Sequence, residues 1–99
     1  MSNRIELEGR VVGQLELRVT PAGTPLLRLR IDCGDQPGEL VMAVLMAGRE
    51  ARILAAQLKA NSMVRLAGVL RVQKESPVRS PNGPALVIMA HEIRLIEAR

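Results

Sequence analysis

The chain has 99 residues, 47% of them hydrophobic and none aromatic, which allows one folded domain with an aliphatic core and excludes a chain that is disordered as a whole. No apolar run approaches the roughly 18 residues of a membrane helix, and the N-terminus lacks the apolar segment of a signal peptide, so we expect a cytoplasmic protein. Its 14 Lys and Arg against 10 Asp and Glu give a net charge of +4, which favours a polyanionic partner such as nucleic acid.

The first third of the chain predicts a β-hairpin. Apolar residues alternate with charged ones over residues 3–12 and again over residues 15–19, and a period of two is typical of half-buried strands. Gly9 and Gly13 interrupt this pattern, and isolated glycines in a strand indicate the bends that curl a sheet into a barrel. After a turn rich in Pro and Gly, residues 27–31 form the second strand. Its outward residues are Arg28 and Arg30.

The middle of the chain predicts a loop, a strand and a helix. Cys33 lies in a loop with acidic neighbours, which we expect to raise the pKa of its thiol, and a lone cysteine cannot form an internal disulfide. Residues 39–46 are apolar on both faces, as is typical of a central strand or of a strand whose outer face meets a partner. Residues 48–60 change to helical spacing with one apolar face.

The last third predicts two further strands joined by a long loop. Residues 64–72 alternate again, and residues 85–96 form the final strand, in which a slip of phase at His91 and Glu92 indicates a bulge. Five strands with one helix between the third and fourth are typical of the OB fold, a partly open Greek-key barrel. We predict this all-β fold as a single domain over residues 1–99; a split α+β sheet and a different small barrel are the alternatives.

Arrangements that support catalysis are missing from the sequence. His91 and Glu92 are strand neighbours that point to opposite faces, so they cannot form a dyad, and Gly-rich phosphate loops are absent. One Cys and one His do not make a structural zinc site. Glu6, Glu8 and Glu16 are interpreted as solvated strand charges. We therefore predict a binding protein rather than an enzyme, without a catalytic, metal or cofactor site.

Basic residues gather where an OB fold places its ligand. In such folds the binding face consists of the second and third strands and the loops after strands one and four. Arg suits a nucleic acid there, because its planar fork pairs with phosphate oxygens and its flat face stacks on bases. The alternative is that scattered Arg residues only solubilise a sheet and block edge pairing. The predicted nucleic-acid-binding residues are Arg18, Arg28, Arg30, Arg71, Lys74 and Arg79.

Several segments, in an order and spacing that cover nearly the whole chain, resemble the primosomal replication protein N (PriB) family. These segments are Asn3-Arg4-Ile5, Leu7-x-Gly9-x-Val11, Pro21-Ala22-Gly23-x-Pro25, residues 63–70, and Asn82-Gly83 with the apolar run to Ile96. The resemblance implies an OB-fold homodimer that aids replication restart, binds single-stranded DNA, and contacts the helicase PriA and the loader partner DnaT. It also implies that Arg18 contacts DNA, because Arg18 occupies the family's basic position before Val19-x-Pro21. The family's loop lysines are partly matched by Lys74 and Arg79.

The aromatic DNA contacts of that family have no counterpart in residues 39–46. Stacking of one base on an aromatic ring is worth about 1–3 kcal/mol, so loss of two stacks weakens binding by about 10²-fold or more. We therefore expect weak and mainly electrostatic binding. A protein-interaction OB module with little DNA binding is the alternative function, favoured by the apolar third strand. An OB domain for structured RNA is a further alternative.

Overall fold

A computed structural model describes residues 2–73 and 85–96, which form five strands and a helix. The elements are β1 (Ile5–Val19), β2 (Pro25–Asp32), β3 (Val41–Ala47), α1 (Arg49–Gln57), β4 (Met63–Gln73) and β5 (Ala85–Ile96). The strands close into a barrel in the order β1-β2-β3-β5-β4, in which only β3 and β5 pair in parallel. The predicted OB barrel, with its helix between the third and fourth strands, is confirmed. Within the described ranges, no helix has the length and apolar character needed to span a membrane.

The barrel interior is filled by aliphatic side chains from every strand. On β2, the alternate residues Leu27, Leu29 and Ile31 are at most 1% exposed, as their period of two predicts. The face of α1 that carries Ala51 and Leu54 packs into the same core. The other buried members include Val11, Val44, Met46, Leu58, Val64, Leu66 and Ile88. The helix is shorter than the predicted residues 48–60, because Leu58 already has an extended backbone with ψ of 143°.

β3 is paired on both sides, and only one of its two apolar faces points into the core. It is bonded to β2 on one side and to β5 on the other. Val44 lies opposite the buried Leu29, and directly opposite residues of an antiparallel pair point to the same face. The inward residues of β3 are therefore Met42, Val44 and Met46, and the outward residues are Val41, Ala43, Leu45 and Ala47.

The far half of β1 extends beyond the core. β1 pairs with β4 only as far as Arg10, and Val11 is hydrogen-bonded to Asn61 and Ser62 just before β4; residues 16–19 pair with β2 alone in the described part of the chain. Leu17 lies opposite the buried Leu27 and shares its face, yet Leu17 is 41% exposed and Val19 is 58% exposed. The alternation predicted their face correctly, but their burial is limited because β4 does not reach them.

The start of β1 is fastened to β4 by the side chain of Asn3. Its amide nitrogen donates a hydrogen bond to the backbone oxygen of Leu70 at 2.8 Å, and the backbone N–H of Leu70 donates to the Asn3 side-chain oxygen at 2.9 Å. The side-chain amide thus continues the β1–β4 ladder one step beyond the strand.

We expect Asn3→Ala to lower the free energy of unfolding by about 1–2 kcal/mol, because a typical hydrogen bond contributes about 0.5–1.5 kcal/mol. Urea denaturation followed by far-UV circular dichroism measures this change. Asn3→Asp keeps the acceptor but places a carboxylate oxygen beside the backbone oxygen of Leu70, so it should also be destabilising. An Asn3→Ala variant as stable as the wild type would show that the two hydrogen bonds between Asn3 and Leu70 contribute nothing to stability.

Candidate nucleic-acid interface

Four of the six predicted binding residues lie on the outward face of the barrel. Arg18 belongs to β1, Arg28 and Arg30 belong to β2, and Arg71 belongs to β4, and all four side chains are exposed. The remaining two, Lys74 and Arg79, lie outside the described residues.

The strand register gives the layout of this face. One row across the sheet, from β1 to β4, consists of Val12, Arg30, Ala43, Val87 and Arg71. The next row consists of Glu16, Arg28, Leu45, Met89 and Val69. Neighbouring strands are about 4.8 Å apart, so the three steps from Arg30 to Arg71 correspond to about 14 Å along the curved sheet.

An apolar surface separates the arginines of β2 from Arg71. We call it the aliphatic strip; its members are Ala43, Leu45, Val69 and Met89, all of them half-buried. Val87 lies among them but is only 3% exposed. A nucleic acid that crosses this face therefore meets aliphatic side chains with guanidinium groups on both sides.

Arg30 is positioned by a bend in the neighbouring strand. Gly13 has a left-handed φ of 73°, and the register between β1 and β2 shifts around it, between Val12 and Glu16. A Cβ added at Gly13 would lie 2.9 Å from Nη2 of Arg30. The glycine therefore permits the bend and also leaves room for the Arg30 guanidinium to lie against the backbone of β1.

Glu16 is the acidic member of this basic face. Nε of Arg18 donates a hydrogen bond to Oε1 of Glu16, and Glu16 also lies directly opposite Arg28 in the β1–β2 register. Within residues 2–73 and 85–96, no ion pair is formed by Arg28 or Arg30. In the described part of the chain, Arg28 and Arg30 are therefore cations without an ion-pair contact, although Glu16 is a cross-strand neighbour of Arg28.

On the other side of the barrel, the outward face of β1, β4 and β5 carries acidic as well as basic residues, whereas the face with the predicted binding residues is mainly basic. There the charged side chains pair with one another, in the ion pairs Arg4–Glu6, Glu8–Arg65 and Glu92–Arg94. Glu6, Glu8 and Glu16, interpreted from the sequence as solvated charges, are exposed or half-buried as expected, but each also has an arginine partner. Pairwise neutralisation makes this second face a poor site for a polyanion.

The loop between β2 and β3 is ordered by Asp32. Its carboxylate accepts hydrogen bonds from the backbone N–H groups of Gly34 at 3.3 Å and Gly38 at 2.6 Å. Partial burial raises the pKa of the Cys33 thiol, and the negative charge of Asp32 raises it further. The direction expected from the acidic neighbours is confirmed, although burial is the larger cause.

We expect Cys33 to react with a disulfide reagent more slowly than a free thiol at the same mildly alkaline pH, because only the thiolate is the nucleophile and a raised pKa reduces its fraction. The pH–rate profile should be shifted to higher pH. Asp32→Asn should move it back towards lower pH, whereas Asp35→Asn, which removes the same charge in the same loop, should have a smaller effect. A pH–rate profile at or below that of a free thiol would contradict the raised pKa of Cys33.

The strand order, the closed barrel and the helix between β3 and β4 define an OB fold. The structure is similar to that of PriB from Ralstonia solanacearum, with a TM-score of 0.75 and 21% sequence identity over 98% of this chain and 100% of that chain. No protein-family model and no curated protein matches the sequence. The likeness confirms the PriB-like OB fold that the sequence resemblance implied.

The sequence analysis found the arginines of this face but missed the half of the aliphatic strip that comes from β4 and β5. Val69 and Met89 reach it because β3 and β5 pair in parallel, which brings Leu45 beside Met89. No local pattern in the sequence encodes that pairing. The apolar outer side of β3 was the one available signal, and it did not reveal which neighbours would extend it.

Proposed function

We propose that this protein is a PriB-like accessory factor of replication restart that binds single-stranded DNA through the outward face of its OB barrel. The observation that supports this best is the aliphatic strip flanked by arginines, on a fold shared with a PriB structure. The contacts are Arg18, Arg28, Arg30 and Arg71, together with Lys74 and Arg79 from the segment between β4 and β5.

Phosphates and bases have separate places on this face. Guanidinium groups pair with phosphate oxygens, and the bases lie over the aliphatic strip, where they bury apolar surface instead of stacking on rings. Each phosphate contact on a single strand contributes about −0.7 to the slope of log affinity against log salt. Three contacts therefore give a slope of about −2, so a fourfold rise in salt weakens binding by about 20-fold.

Fluorescence anisotropy of a labelled oligo-dT strand, titrated at several salt concentrations, tests this function. A label is required because the chain contains no Trp or Tyr. Binding should weaken steeply with salt, and a duplex of equal length should bind less tightly because its bases are not free to reach the aliphatic strip. The absence of oligo-dT binding even at low salt would overturn the proposal.

The proposed role places the protein in the cytoplasm with a PriA-type helicase and a DnaT-type loader as partners. A second candidate function is a protein-docking OB module with little DNA binding of its own. It is favoured by two exposed apolar residues, Leu40 just before β3 and Val41 at its start, which are 46% and 41% exposed. Pull-down of a PriA-type helicase without DNA, combined with no oligo-dT binding, would favour this second function; DNA binding without helicase binding would exclude it.

A homodimer is part of the proposal. Both hairpins carry exposed apolar side chains that a partner subunit would cover, and closed two-fold dimers are the commonest oligomers. These side chains are Leu17 and Val19 on the β1–β2 hairpin, and Val72 and Leu86, at 46% and 53% exposed, on the β4–β5 hairpin. Light scattering that finds only monomer at micromolar concentration would contradict the dimer.

A further inference from the structure

A carboxylate sits among the cations of the basic face, where a bound nucleic acid would place a phosphate. Glu16 is half-buried, with its side chain 42% exposed, and it accepts a hydrogen bond from the guanidinium of Arg18. It also lies directly opposite Arg28, and Cβ atoms of opposite residues in an antiparallel pair are about 4.5–5.5 Å apart. One carboxylate is thus within reach of two of the predicted DNA contacts.

We infer that Glu16 is an intramolecular competitor of one DNA phosphate, and that it sets the affinity of the basic face for single strands. The inference rests on the proposed function, since it concerns the same face. Glu16 occupies Nε of Arg18, so a phosphate that pairs with the Nε–Nη edge of this guanidinium must displace Glu16, and a phosphate that pairs with the Nη donors alone lies close to the Glu16 carboxylate. The displaced carboxylate then remains beside the phosphate and repels it.

Removal of the Glu16 carboxylate should cause a measurable but moderate increase in affinity for oligo-dT. Surface ion pairs and exposed charges contribute little each, so Glu16→Gln should tighten binding of oligo-dT by about three- to tenfold at low salt. Because a carboxylate then no longer offsets the charge of Arg18, the salt slope should also become steeper, by up to about 0.7. The gain should shrink as salt rises, since counterions screen both effects.

The chain offers a closely matched control in Glu8→Gln. Glu8 is on the same strand, is similarly exposed and pairs with an arginine, Arg65, but it belongs to the ion-paired face on β1, β4 and β5. Both substitutions raise the net charge by one unit. A difference between them therefore reports the position of Glu16 and not the overall charge of the protein.

A second control tests the named partner. Arg18→Gln removes the guanidinium that Glu16 holds, and the double variant of Glu16→Gln with Arg18→Gln measures the coupling between them. The gain from Glu16→Gln should be at least halved in the Arg18→Gln background. An equal gain in both backgrounds would contradict competition for Arg18. Thermal unfolding followed by circular dichroism should find the folded state of each variant intact, because the pair is exposed.

The experiment combines oligo-dT anisotropy with elution from a heparin column, which presents a polyanion that is not DNA. The expected result is tighter oligo-dT binding and later heparin elution for Glu16→Gln than for Glu8→Gln. Equal behaviour of the two variants in both assays would overturn the inference. If no variant binds oligo-dT, while Glu16→Gln still elutes later than Glu8→Gln, the proposed function fails and the competition at Arg18 is supported.

Discussion

Simultaneous replacement of Arg28 and Arg30 by Glu should weaken oligo-dT binding by about 10²-fold or more at moderate salt. Both side chains are exposed on the outward face of β2, next to the aliphatic strip, and neither forms an ion pair in the described part of the chain. The substitutions remove two phosphate contacts and place two carboxylates at the same positions. Anisotropy with labelled oligo-dT measures the loss, and the salt slope should become shallower by about 1.4, because two phosphate contacts are removed.

A charge-matched control separates this face from the net charge. Arg52→Glu combined with Lys59→Glu also lowers the charge by four units, and both residues are exposed, on α1 and just after it. We expect this control to bind oligo-dT within a few-fold of the wild type. Equal losses for the two double variants would show that long-range charge alone attracts the strand, and the assignment of the site to β2 would then be wrong.

The arginines of β2 could be predicted because a strand places alternate residues on opposite faces. Once Leu27, Leu29 and Ile31 are assigned to the core, Arg28 and Arg30 can only point outwards, whatever the rest of the chain does. The same local reasoning predicted the bulge at His91, where the register of β4 and β5 shifts between Ala67 and Gly68. The face on which a strand residue lies and the position of a bulge both depend on a short segment of the chain, so they can be predicted from the sequence.

The extent of burial and the meeting of distant strands are not local properties. Leu17 and Leu27 share a face, but only Leu27 is covered, because β4 ends its pairing with β1 at Arg10. The pairing of β3 with β5 likewise depends on closure of the whole barrel. Glu16 shows an intermediate case. Its period-two relation to Arg18 places both on one face, but the sequence does not tell that they form an ion pair opposite Arg28.

The backbones of β4 and β5 approach each other closely at Gly68. Of the substitutions proposed for stability, Gly68→Ala should therefore cause the largest loss. A Cβ added there would lie 2.2 Å from the backbone oxygen of Met89 and 2.8 Å from Cα of Ala90. Both are backbone atoms, so no side-chain rotation relieves the overlap, and β4 and β5 must separate locally. We expect the free energy of unfolding to fall by about 3 kcal/mol or more. For a domain of this size, that lowers the melting temperature by roughly 12–24 °C.

Gly23→Ala provides the comparison that isolates steric overlap from backbone strain. Gly23 has a left-handed φ of 85°, and a Cβ added there would meet nothing within 4 Å. Its cost is therefore that of the left-handed conformation alone, about 1–2 kcal/mol. Thermal unfolding of both variants by circular dichroism gives the difference. If Gly68→Ala were no more costly than Gly23→Ala, the two strands would be free to part at the bulge. Met89, the member of the aliphatic strip whose backbone oxygen approaches Gly68, would then not be fixed by the pairing of β4 and β5. The strip would then not be a preformed surface for bases.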